Sequence, residues 1–285
     1  MRDGCTLMHE HMSIDLSPGD LGTGSFAPLC EDLRELRRWG VRRIVDLTNG
    51  TMGRNIDYTR RLSEAVGIEI LNAVGYYLEP TIPAGAMSRS AEELAAEAVR
   101  ELSDGTAAVI GELAWSSLVG PGEQKAWEAM SLAAVRTGAL VSTHPSLGPQ
   151  QLEQAEYLLS RGVDPKRIVI GHIEFFPTDE ALRRVLETGV NIGVDMIGKN
   201  GRARDEYRAD LVRTVIDWGF IDRLTLSLDL CRRQDLAASG GYGYGYLFRE
   251  FLPLLRRKGV TEAQIEHILC ANPDRLLGSV GRGVR

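Results

Sequence analysis

The sequence predicts a (β/α)8 TIM barrel built as one α/β domain over residues 1–285. Three observations predict it. Eight short, β-branched apolar runs alternate with longer segments of helical periodicity, the order of repeated βα units. The chain has 285 residues with 44% hydrophobic content, enough for one large core, and a barrel of this kind has about 250 residues. Histidines and carboxylates recur at the carboxyl ends of the apolar runs, where such a barrel gathers its chemistry.

Taken in order, strands are expected at 6–11, 43–49, 69–75, 108–113, 140–144, 168–172, 191–195 and 224–229. Their near-continuous hydrophobicity suits parallel strands covered on both faces. Helices are expected between them, including 90–103, where Ser90 and Glu93 form a capping box, 152–161 and 181–188. Glycines at 40, 67, 162, 189 and 219 mark helix ends. A doubly wound open sheet is the competing architecture. It needs a glycine-rich phosphate turn after the first strand, and His-Glu-His occupies that place.

Lysine plus arginine total 33 against 39 acids, a net charge of −6, and no basic tract is dense enough to follow a phosphate backbone, so nucleic acid is not an expected partner. Cys5, Cys30, Cys231 and Cys270 are widely spaced, form no C-x-x-C and are too few for a disulfide scaffold, which fits a reducing cytoplasm. The opening run MRDGCTLMHEH leaves no room for a signal segment. No apolar run approaches the ~20 residues of a membrane span.

Four of the five histidines lie at strand ends. His9 and His11 are two apart, so they share one face of the first strand while Glu10 points away and is read as structural. Glu112, His144, His172 and Asp229 close strands 4, 5, 6 and 8. A lone histidine in such a run is usually a hydrogen-bonded core residue, but six donors in matching positions point to metal. Imidazole and carboxylate suit zinc, manganese and cobalt, and a shared carboxylate lets two ions sit together. The expected cofactor is therefore a pair of divalent ions, zinc first, with manganese or cobalt as alternatives. His267 lies in the helical pattern TEAQIEHILC and is read as structural or solvent-facing.

The ordered segments TLMHEH, NGTMGRN (49–55), AVGYY (73–77), IGEL (110–113), STH (142–144), GHIE (171–174), DMIGKN (195–200), SLDLCRR (227–233), GGYGYGY (240–246) and ANPDRLL (271–277) resemble the phosphotriesterase family of the amidohydrolase superfamily, and within it the phosphotriesterase homology branch. The resemblance covers nearly the whole chain. It implies one ion on His9, His11 and Asp229, a second on His144 and His172, and Glu112 as the bridge. The best-studied members bridge with a carboxylated lysine. Lysine occurs here only at 125, 166, 199 and 258, none on strand 4, so Glu112 takes that place unmodified. Two cations about 3.5–4 Å apart would share a water, lower its pKa and polarise the substrate's carbonyl or phosphoryl oxygen. Asp229 is the expected catalytic residue, carrying the proton to the leaving group. The resemblance also implies a homodimer.

Substrate choice belongs to the βα loops. Tyr77 matches the family position where an aromatic side chain meets substrate, with rim packing as the plain alternative. Arg232 and Arg233, three and four residues past Asp229, are candidates to hold a carboxylate or phosphate, or else pair with rim acids. Lys199 is a further candidate for substrate binding, and Arg54 could add charge. The run 239–246 is either a lid or a tight connection. Members that hydrolyse triesters well relay a proton through a histidine after strand 7 to an aspartate after strand 6, and Met196 and Phe175 stand at those places. A lactone, carboxylic ester or amide of a small, anionic or phosphorylated molecule is the expected substrate. The competing readings are a phosphoester or phosphotriester hydrolase, including a TatD-like nuclease, and a barrel that binds metal or ligand without turnover.

Overall fold

The eight apolar runs form eight parallel strands in chain order, in a computed structural model that describes residues 3–146, 150–175, 178–201 and 203–278. Met1, Arg2 and 279–285, the two ends of the expected domain and the start of the opening run, lie outside the described residues. The strands are β1 (Cys5–Glu10), β2 (Val41–Asp46), β3 (Glu69–Val74), β4 (Val109–Trp115), β5 (Val141–Pro145), β6 (Ile168–Ile170), β7 (Asn191–Val194) and β8 (Leu224–Leu226). A helix follows each: Phe26–Arg38, Ile56–Val66, Ala91–Asp104, Pro121–Thr137, Gln151–Ser160, Asp179–Glu187 and Asp205–Asp217 between strands, and a helical segment 247–257 after β8. This is the (β/α)8 TIM barrel the alternation predicts.

Local chemistry accounts for the elements. β1, β6, β7 and β8 are buried at every position, as parallel strands covered on both faces must be. The helix Asp179–Glu187 buries Leu182, Val185 and Leu186, a three-and-four-residue stripe, and Thr178 caps it by accepting from the Ala181 N–H. The capping box of Ser90 and Glu93 forms as the sequence predicts. Such a cap contributes about 0.5–2 kcal/mol.

The contacts gather into two compact units, whose described parts are 3–46, 55–70 and 193–278 in one, and 47–54 and 71–192 in the other. The boundary falls inside β3 and β7. In the first unit β1 pairs with β2 (Leu7 opposite Ile44, Glu10 opposite Asp46), and the Asp229 N–H reaches the His9 carbonyl at 3.2 Å. In the second, β3 to β7 pair in sequence, with Ala114 opposite His144 and Ile170 opposite Ile192.

The expected strand ends shift by one to three residues, and three of the shifts bear on the site. β6 stops at Ile170 and β8 at Leu226, because His172 and Asp229 adopt φ of 51° and 48° and leave the ladder. Non-glycine residues rarely adopt this left-handed region, and they do so chiefly where the surroundings impose it. β4 runs on to Trp115, so Glu112 lies within the strand. The cysteines depart from expectation too. Cys5 in β1 and Cys270 near the carboxyl end are joined as a disulfide across 265 residues, a pairing that spacing does not reveal.

Candidate metal centre

In the first unit, β1 holds His9 and its exit holds His11, both 2% exposed. Their Nε2 atoms lie 3.8 and 3.2 Å from Asp229 Oδ1, so the three residues offer two nitrogens and an oxygen within 4.8 Å of one another. That donor set suits a first-row divalent ion. His9 Nδ1 donates to Asp195 Oδ2 at 2.9 Å, the outer carboxylate contact that fixes a ligating imidazole's tautomer and orientation. Sequence reasoning did not single out Asp195. Its signal was there, since it ends an apolar run as Asp229 does.

The backbone that aims these groups is tied down by buried acceptors. The Ser227 hydroxyl accepts from the N–H groups of Met8 (2.8 Å) and His9 (2.9 Å). Glu10, read from the sequence as structural, accepts from the N–H groups of Leu228 (2.8 Å) and Leu230 (3.0 Å) on either side of Asp229. Burial pushes its carboxyl up to about 8, against the lowering effect of those two N–H groups. Lys199 ion-pairs with Asp229 Oδ2, and Cys231 Sγ lies 3.6 Å from its ammonium. Burial alone would lower the Lys199 pKa, but Asp229 and Cys231 hold it above the usual lysine value. Lys199, expected at the substrate, thus meets Asp229.

In the second unit, Glu112 Oε1 contacts His144 Nδ1 and lies 3.5 Å from His172 Nε2. The two imidazoles pack edge to face, with His172 Nε2 and His144 Nδ1 2.9 Å apart. Three atoms that can each offer a lone pair crowd at one point, and a cation there satisfies all three. Glutamines fix the histidine backbones: Gln151 donates to the His172 carbonyl and Gln154 to that of His144, both at 3.1 Å. Asn49 donates to the Glu112 carbonyl at 3.0 Å. Gly111, at φ 151°, has no room for a side chain, because a Cβ would stand 2.8 Å from the Ser142 carbonyl oxygen. Tyr77 shares a hydrogen bond with His144 Nε2 at 3.2 Å and packs against its ring, so its hydroxyl touches a candidate ligand.

The remaining candidates each meet a protein partner. Arg232 pairs with Asp20 (2.7 Å), and Arg233 Nε donates to the Asp20 carbonyl (2.7 Å), so both brace the loop after β1. Arg54 is bound to Glu101 and the Ala73 carbonyl. In the run 239–246, Tyr244 is fully buried and donates to the His11 carbonyl at 2.9 Å, a strut under the site. Met196 is buried, and the Phe175 ring lies 5.7 Å from that of His172, so neither position carries a group that relays protons. His267 pairs with Asp222 at the surface.

Buried histidines and carboxylates at the strand ends of a (β/α)8 barrel define a metal-dependent hydrolase of the amidohydrolase type. The chain belongs to the phosphotriesterase family, whose sequence model matches residues 2–277. It is 36% identical to the phosphotriesterase homology protein of Escherichia coli K12, over 95% of this chain and 97% of the relative. The crystal structure of that protein with phosphate in its active site superposes with a TM-score of 0.90, at 33% identity, 97% of this chain and 99% of that one. An N-acetyltaurine hydrolase of Dictyostelium discoideum is 28% identical over 86% of this chain and 71% of its own. A mutant of a lactonase from Deinococcus radiodurans gives a TM-score of 0.83 at 33% identity, covering 96% of each chain. The last two carry the names of hydrolases, and this protein is a hydrolase of the same family. Among the described residues no helix is long and apolar enough to cross a membrane.

Proposed function

We propose that the protein hydrolyses a lactone, carboxylic ester or amide bond in a small anionic molecule, using two divalent ions, zinc first. It acts in the cytoplasm as a homodimer. The observation that carries this reading is the pair of donor clusters, His9, His11 and Asp229 in one unit and Glu112, His144 and His172 in the other, all buried but the half-buried His144. When bound, the ions supply a water acidified enough to attack at neutral pH and polarise the scissile carbonyl. Asp229 presents one oxygen to the histidines and the other to Lys199, so one carboxylate reaches both the donor set and a proton-carrying neighbour. Asp229 therefore takes the proton from the attacking water and delivers it to the leaving group. Tyr77 holds the imidazole of His144 in orientation from the far side of the ring.

For the bond, Met196 and Phe175 leave the triester relay without its polar groups, and the names of the relatives include an amide hydrolase and a lactonase. For the anion, phosphate occupies the active site of the E. coli relative. The terminal nitrogens of Arg233 form no ion pair among the described residues and suit a carboxylate or phosphate. The test is turnover of lactones, N-acyl amino acids, phosphomonoesters and phosphotriesters by the zinc- or manganese-loaded protein, with Asp229→Asn beside it. The proposal expects turnover of lactones or N-acyl amino acids that disappears in the variant. Turnover of phosphoesters alone would overturn the assignment of the bond, and no turnover at all with two ions bound would favour a binding barrel.

A further inference from the structure

A cavity of about 580 Å³ opens at the amino end of β2, lined by Gly40, just before that strand, and by the helical segment 247–257. The metal-ligand candidates lie at carboxyl ends of strands, so this cavity belongs to the face that carries no chemistry in a barrel of this type. Its walls include Arg38, Trp39, Arg42, Phe248, Arg249 and Arg256, and Asp3 is the one carboxylate lining it among the described residues.

The lining is of two kinds. Trp39 and Phe248 stack, with ring centroids 5.6 Å apart and planes within 9°, yet Trp39 remains 41% exposed. A large indole left this open has apolar area still to bury and a face on which a further ring can stack. Around it stand four guanidiniums. Arg42 pairs with Asp3, Arg249 with Glu35 and Arg256 with Glu262. These pairs join partly exposed side chains, which hold one another weakly in water and exchange readily for a better anion. Arg38 has no ion-pair partner among the described residues. Four cations thus face three carboxylates, a surplus of one positive charge, and each guanidinium is a planar fork matched to phosphate.

We propose that this cavity is a second binding site, separate from the metal clusters, for a planar aromatic molecule carrying phosphate, of the size of a nucleoside mono- or diphosphate. Its volume falls within the roughly 300–1,000 Å³ of small-molecule sites. The aromatic ring of the ligand stacks on Trp39, and its phosphate displaces the rim carboxylates and is taken by Arg38 and its neighbours. Neither group binds as well alone, because the stacking wall and the cationic wall are distinct.

The probe is AMP, with adenosine and inorganic phosphate as its two halves, each titrated calorimetrically into the metal-loaded full chain. AMP is expected to bind at least tenfold more tightly than either half and to weaken as salt rises toward physiological strength, where screening acts within about 8 Å. Arg38→Glu, an exposed substitution that does not threaten the fold, and Trp39→Leu are each expected to weaken AMP tenfold or more without changing metal content. AMP binding that is equal in the wild type and both variants would overturn the proposal, since the ligand would then sit elsewhere. So would no binding up to ~1 mM, or a concentration-dependent dimer that Trp39→Leu abolishes.

Discussion

In the proposed mechanism the chemistry turns on Asp229, whose surroundings separate two functions that one carboxylate would serve. Its Oδ1 faces His9 and His11, and its Oδ2 meets Lys199. Asp229→Asn keeps the shape and one acceptor but removes the base, so kcat is expected to fall about 10²- to 10⁴-fold with metal still bound; an unchanged rate in steady-state kinetics would remove Asp229 from the reaction. Lys199→Met removes a cation that competes for the same carboxylate. The expected result is tighter binding of the ion at His9, His11 and Asp229, by about tenfold if the loss is worth ~1.4 kcal/mol, measured by zinc titration. Weaker binding would make Lys199 a support for the ligand instead of a competitor. At this scale the six donors were legible in the sequence because strand-end histidines and acids are conspicuous against apolar runs. Asp195 ends an apolar run in the same way, but its role was not legible, since that depends on a contact to His9 across 186 residues. Likewise nothing local says that Arg232 meets Asp20 or that Arg54 meets Glu101.

Elements decide how firmly those donors are held. β4 carries Glu112 past β5 through Gly111, where a side chain would collide with the Ser142 carbonyl. Gly111→Ala is expected to cost about 1–3 kcal/mol in denaturant unfolding by overpacking and to lower metal content by shifting Glu112. A variant with wild-type stability and metal would show that the two strands can separate without effect. The strands themselves were legible from their unbroken apolar character, and the capping box of Ser90 and Glu93 located the start of its helix to within one residue. The ends of β6 and β8 were not. Sequence pattern extends a strand for as long as its residues look alike, whereas His172 and Asp229 take a left-handed φ to point their side chains, which no pattern of residue types announces. The disulfide of Cys5 and Cys270 escaped for a similar reason, since it joins distant parts of the chain.

Over the whole molecule, Glu10 ties the first strand to the last strand's exit by accepting from Leu228 and Leu230. Its buried carboxyl has both oxygens engaged with N–H donors. An amide nitrogen there would confront one of them, so Glu10→Gln is expected to cost about 1–3 kcal/mol, read as a lower denaturation midpoint; no change would mean that closure does not rest on Glu10. Alternation of runs and helices made the barrel legible, but this closing contact was not, because it joins residues 218 and 220 positions apart.

Binding of metal to the folded state alone adds stability that grows with the logarithm of the free-ion excess, about 2.7 kcal/mol for each site at a hundredfold excess over Kd. Metal content per chain therefore measures the central claim most directly, in the wild type, His11→Ala, His144→Ala and Glu112→Ala, after loading with zinc and dialysis. Two ions in the wild type and one in each variant is the predicted result, each substitution removing a donor from one cluster. Wild-type protein that retains no zinc, or histidine variants that retain two ions, would contradict the account.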